Sequence, residues 1–114
     1  MSIQKEIVVI SVDVGTTSVR LAIIAFHGED FKQARILASQ DKEINHFQDG
    51  VKYEQNSEQI FSAICDCCKA CIQKANIDPK SIKSIGFSAT CSLVMHNKDQ
   101  SNNVIMWMDH RAID

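Results

Sequence analysis

The chain has 114 residues, a net charge of −2 and a sequence pI of about 6.0, so no global basic field invites nucleic acid or an anionic membrane. Its 45% hydrophobic and 23% charged fractions suit one globular domain or a piece of one. The start is charged, and the first apolar run, broken by Ser11 and Asp13, is far short of a signal-peptide core or membrane span, so a cytoplasmic address is the expectation.

Residues 7–13 are β-branched and almost continuously apolar, the pattern of a central buried strand. Residues 14–18 read as a turn, and 19–26 as a second strand, so the pair predicts a hairpin with a small-residue tip. Residues 27–30 signal another turn, and 34–44 a third strand. The polar stretch 45–56 reads as loop. Asn56 or Ser57 can cap a helix running to about Asn76, with Ile60, Phe61, Ile64, Cys68, Cys71, Ile72 and Ala75 as its apolar stripe. Asp78 and Pro79 mark its exit. A strand over 81–89, a short one over 93–95, a turn over 97–103 and a last strand over 104–108 complete the reading.

The order β-β-β-α-β, with a small β addition, predicts an α/β fold on a mixed sheet. A dinucleotide-binding fold would place a helix directly after its glycine loop, and here a strand follows instead. The order matches the first half of a ribonuclease-H-like domain, as used by actin-like ATPases.

The five cysteines are Cys65, Cys67, Cys68, Cys71 and Cys91. An odd count, the helical setting of the first four and the cytoplasmic expectation all argue for reduced thiols rather than a disulfide framework. Cys67 and Cys71 stand one helical turn apart and could share a metal only with a third ligand, which no suitably spaced His or Cys supplies. Cys68 and Cys71 are expected in the core, and Cys65 and Cys67 partly exposed.

The segment Asp13-Val14-Gly15-Thr16-Thr17-Ser18-Val19-Arg20 has the chemistry of a phosphate site. Gly15 permits a tight turn and close approach to a ligand. Successive backbone N–H groups at such a turn can form an anion-binding concavity. Thr16, Thr17 and Ser18 add hydroxyl donors, and Arg20 adds a planar fork suited to phosphate oxygens. Asp13, at a strand end, is placed to hold magnesium through water. A hairpin with a solvated Arg is the bland alternative. The segment is not a Walker loop, which requires a following Lys and a helix.

Three further segments follow in order: Tyr53-Glu54-Gln55-Asn56, Ile85-Gly86-Phe87-Ser88-Ala89-Thr90-Cys91-Ser92-Leu93-Val94, and Asn103-Val104-Ile105-Met106-Trp107-Met108-Asp109-His110-Arg111-Ala112. With the phosphate segment, they resemble the N-terminal domain of the FGGY carbohydrate kinases, on the D-ribulokinase-like (pentulose kinase) branch. The resemblance covers nearly the whole chain and implies that residues 1–114 are the N-terminal part of that domain, with a second domain absent.

It further implies ATP-dependent phosphorylation of a sugar hydroxyl, a pentulose such as D-ribulose, with ATP and Mg2+ as cofactors. Asp13, Gly15, Thr16, Thr17, Ser18 and Arg20 would face magnesium and the ATP phosphates. Ala89, Thr90, Cys91, Trp107, Asp109 and Arg111 would line the sugar side. The catalytic Asp of the family has no counterpart in these residues, so the chain alone is expected to be inactive. Relatives on this branch commonly carry Asp where Ser88 stands, which bears on sugar choice. The competing readings are a non-catalytic binding or regulatory module, or another actin-like ATPase; residues 107–112 argue against the latter. No nucleic-acid or membrane partner is expected, and the oligomeric state is left open.

Overall fold

A computed structural model of the chain describes residues 5–28, 30–96 and 102–112. In chain order the elements are β1 (Glu6–Val14), β2 (Ser18–His27), β3 (Asp30–Glu43), β4 (Phe47–Asp49), β5 (Lys52–Gln55), helix α1 (Ser57–Ala75), a single 3-10 turn (Pro79–Ser81), β6 (Ile82–Ala89), β7 (Leu93–Val94) and β8 (Val104–Ile105). The main sheet runs β3-β2-β1-β6, with β1, β2 and β3 antiparallel and β6 parallel to β1. This is the expected mixed sheet in the expected β-β-β-α-β order. The turn expected over 97–103 lies mostly outside the described residues, as do Glu29 of the 27–30 turn and residues 1–4 of the charged start.

The core lies between one face of this sheet and α1. Val8, Ile10 and Val12 of β1 and Val19, Leu21, Ile23 and Ala25 of β2 are buried, and cross-strand register stacks Ile10 beside Ile23 and Val12 beside Leu21. The other face is less covered than a central buried strand would be: Ile7 and Val9 are half-buried and Ser11 is exposed. The run reads as apolar on both faces, but among the described residues α1 covers only one.

Asn56 caps α1 by accepting from the Gln59 amide at 3.0 Å, and Asn76 ends it in the left-handed region that Asn tolerates. Ala63, Cys67 and Cys71 form the buried line of the helix, with Ile60, Ile64 and Ile72 packed beside it. The expected stripe is therefore rotated. Cys67, not Cys68, is fully buried, and Phe61 is exposed. Spacing of three and four residues is met by either line, and the choice falls to the small side chains because α1 sits close over β2. Lys42 of β3 pairs with Asp66, and Lys74 reaches the Ser39 carbonyl at 3.3 Å, tying α1 to β3. Among the described residues no helix is long and apolar enough to cross a membrane.

A second small sheet, β4-β5-β8-β7, stands beside the first. Its β4–β5 hairpin occupies residues that read as loop, because polar side chains hide a strand when only its backbone pairing is needed. Gly50 supplies the left-handed turn at its tip (φ 59°). The last strand is also shorter than expected: it ends at Ile105, and 106–112 form consecutive turns.

Candidate active site

The phosphate segment forms the tip joining β1 to β2. The Gly15 amide donates to the Ser18 carbonyl at 2.9 Å, and a Cβ on Gly15 would lie 3.2 Å from that oxygen. A side chain at position 15 would therefore press on the tip's own backbone. The neighbouring carbonyls are also engaged. Val14 accepts from the Thr90 amide at 3.1 Å, Thr17 from the Ile44 amide at 2.9 Å, and Thr16 from the Gln55 side chain at 2.8 Å. These three oxygens, which would repel an anion, are each held by a protein donor.

Arg20 stands opposite Asp13 in the β1–β2 register and pairs with it at 2.6 Å, both half-exposed. Asp41 of β3 stands opposite Arg20 on the other side. These three side chains and Ser18 border one shallow depression of about 310 Å3. Two carboxylates, Asp13 and Asp41, thus stand on either side of one guanidinium in the strand register. The described residues contain no group of three or more His, Cys, Asp or Glu side chains that could hold a metal by themselves.

Strand β5 joins this tip to the turn after β8. The Trp107 indole N–H reaches the Thr16 hydroxyl at 3.3 Å, across 91 positions of sequence. Behind Trp107, the Asp109 carboxylate accepts from the Tyr53 amide at 2.7 Å and from the Arg111 amide at 3.0 Å. It also takes both arms of the Arg111 guanidinium, at 2.8 and 2.6 Å. The side chain of Asp109 is only 2% exposed. The Arg111 guanidinium, helped by those two amides, holds this carboxyl well below the usual carboxylate range. Arg111 in turn reaches Glu54 at 3.2 Å.

Ala89 ends β6, and Thr90 and Cys91 follow it. Ala89 and Thr90 border an apolar groove of about 230 Å3 with Val14, Gln55 and Phe61, while Cys91 is exposed. Their contacts run to β1 and to Ser92, whereas those of Asp109 and Arg111 run to β5. The residues expected on the sugar side therefore form two patches rather than one.

Residues 8–114 match the N-terminal domain of the FGGY family of carbohydrate kinases. The chain belongs to that family. Over 91% of its length it is 34% identical to a D-ribulokinase of Saccharomyces cerevisiae, of which it covers 16%. Over an equal share it is 39% identical to a human FGGY carbohydrate kinase domain-containing protein, covering 20% of it. The crystal structure of a xylulose kinase from Rhodospirillum rubrum superposes with a TM-score of 0.71 at 15% identity, over 94% of this chain and 21% of that one. The chain therefore spans about a fifth or less of the relatives it matches, and its fold is the actin-like ATPase fold of the FGGY kinases.

Within this FGGY site, the residues that sequence reasoning left without a role are Tyr53, Glu54, Gln55 and Ile44. Tyr53 and Ile44 act through backbone amides, Gln55 through its buried side-chain amide and Glu54 through its carboxylate on Arg111. Only the position of Tyr53, Glu54 and Gln55 within a family segment marked them beforehand; Ile44 carried no signal beyond its apolarity.

Proposed function

We propose that this chain supplies the phosphate tip and the sugar-side turn of an ATP-dependent sugar kinase whose acceptor is a pentulose such as D-ribulose. The observation that carries the reading is the contact of Trp107 with Thr16, which sets an exposed indole and the Asp109–Arg111 turn beside the phosphate tip. An indole face packs on sugar C–H groups, and Arg111, fixed by Asp109 and Glu54, offers its remaining edge to a hydroxyl. Kinases of this kind gain most of their rate from positioning and charge stabilisation, so a rigid turn next to a phosphate tip is a mechanistic asset.

In this reading Gly15, Thr16, Thr17 and Ser18 take the ATP phosphates through amides and hydroxyls. Arg20 is held by Asp13 until a phosphate oxygen offers it a second partner. Asp13 would hold magnesium, which would supply positive charge to offset that of the phosphates. Ala89, Thr90 and Cys91 form the second wall of the sugar side, where Ser88 in place of the branch's usual Asp bears on acceptor choice. None of the residues assigned here takes the hydroxyl proton, and the 114 residues by themselves are expected to turn over no ATP.

The reading is tested with protein expressed from its complete reading frame, by following ADP release with ATP and Mg2+ over D-ribulose, D-xylulose and glycerol. Pentulose-dependent ADP release is the expected result. Its absence with every sugar, or a preference for glycerol, would sink the proposal.

A further inference from the structure

Gln55 is the buried polar side chain of the described core, 1% exposed, at the end of β5 opposite the buried Val104. An amide buried there without a partner would cost more than an apolar side chain of the same size. Its N–H is spent on the Thr16 carbonyl, 39 residues away, at 2.8 Å.

Peptide planarity gives that bond a consequence. In a trans peptide the carbonyl and the following N–H point in opposite directions, and the described residues contain no cis bond. Holding the Thr16 oxygen towards β5 therefore turns the Thr17 N–H away from it, and Thr17 is an exposed residue. Released, the same peptide could rotate and present its oxygen to an incoming anion. The indole of Trp107 touches the Thr16 hydroxyl, not this carbonyl, so it does not replace the lock.

We propose that Gln55 is a positioning residue, whose side-chain amide fixes the Thr16–Thr17 peptide so that the Thr17 N–H, and not the Thr16 carbonyl, meets the nucleotide phosphate. This rests on reading the tip as the phosphate site. Gln55 touches no substrate atom and acts through Thr16.

The experiment compares wild type with Gln55→Met, of similar length without a donor, and Gln55→Glu, of similar shape without the N–H, each expressed from the complete reading frame. Hydrogen exchange is followed over residues 14–18 and over α1, with and without ATP and Mg2+, alongside KM for ATP, KM for the sugar and kcat. Protected exchange in α1 reports that each variant is folded. The expected result is faster exchange confined to 14–18 and a KM for ATP raised about tenfold, equivalent to ~1.4 kcal/mol, with sugar KM and kcat within about twofold. Lower kcat with unchanged ATP KM, and faster exchange throughout α1, would reduce Gln55 to a structural role and overturn the proposal. ATP protection of 14–18 that persists undiminished in both variants overturns it too, while leaving the phosphate reading intact. A wild-type tip that gains no protection from ATP overturns the phosphate reading and this proposal with it.

Discussion

Asp109 shows how one carboxylate organises a whole turn. Four N–H groups converge on it from Tyr53 and Arg111, and its charge is what makes those bonds strong. Because its folded pKa lies below the unfolded value of about 3.9, the unfolded chain binds a proton more readily. The stabilisation is therefore complete above that value and is withdrawn as pH falls through the lower folded one. Asp109→Asn should be less stable than wild type at neutral pH, with the gap narrowing as acid protonates the wild-type carboxyl. Urea unfolding of both proteins from pH 7 down to pH 2 checks this; a gap that stays constant across the range would show that the charge contributes nothing.

At the scale of elements, α1 lies against β2 and β3 through its smallest side chains. Cys71 is fully buried, its sulfur 3.8 Å from the Leu21 carbonyl, and Cys67 is 1% exposed. Burial pushes both thiols up, despite the counteracting charges of Lys42 near Cys67 and Lys74 near Cys71. Since the thiolate is the reactive form, these two cysteines should be doubly protected, while Cys91 is open to solvent. Brief maleimide treatment at neutral pH, read by peptide mass spectrometry, should modify Cys91 first and leave Cys67 and Cys71 untouched until denaturant is added. Labelling of Cys67 at the rate of Cys91 would mean that α1 does not pack as described.

For the molecule as a whole, the notable feature is how much apolar surface β6 leaves open. It forms the edge of the main sheet, with Ile85 52% and Phe87 66% exposed, and Leu93, Val94 and Phe61 also exposed. An unpaired edge beside exposed apolar side chains favours association between chains. Phe87→Lys in the 114-residue chain should raise the monomer fraction in light scattering and shift the melting temperature little, because Phe87 contributes little buried area. If aggregation is unchanged, the β6 face is not the surface through which the chains associate.

Much of this architecture is legible in the residues alone, and for a common reason. The β1–β2 hairpin, α1 and β6 follow local periodicity, and the tight tip at Gly15 follows from the small residues between the first two strands. Family membership is legible too, because Ala89-Thr90-Cys91-Ser92-Leu93-Val94 and the 107–112 segment are distinctive strings. What was not legible depends on partners distant in sequence. The β4–β5 hairpin is held by backbone pairing that polar side chains do not announce, and the rotated face of α1 is chosen by how closely the helix approaches β2. The grip of Gln55 on Thr16, the reach of Trp107 to the same residue and the occupation of Asp109 by Tyr53 span 39, 91 and 56 positions. The sequence by itself determined the family and the order of the main-sheet strands. The tertiary structure alone decided which buried groups hold that tip in place, because hydrogen bonds between distant segments exist only once the chain has folded.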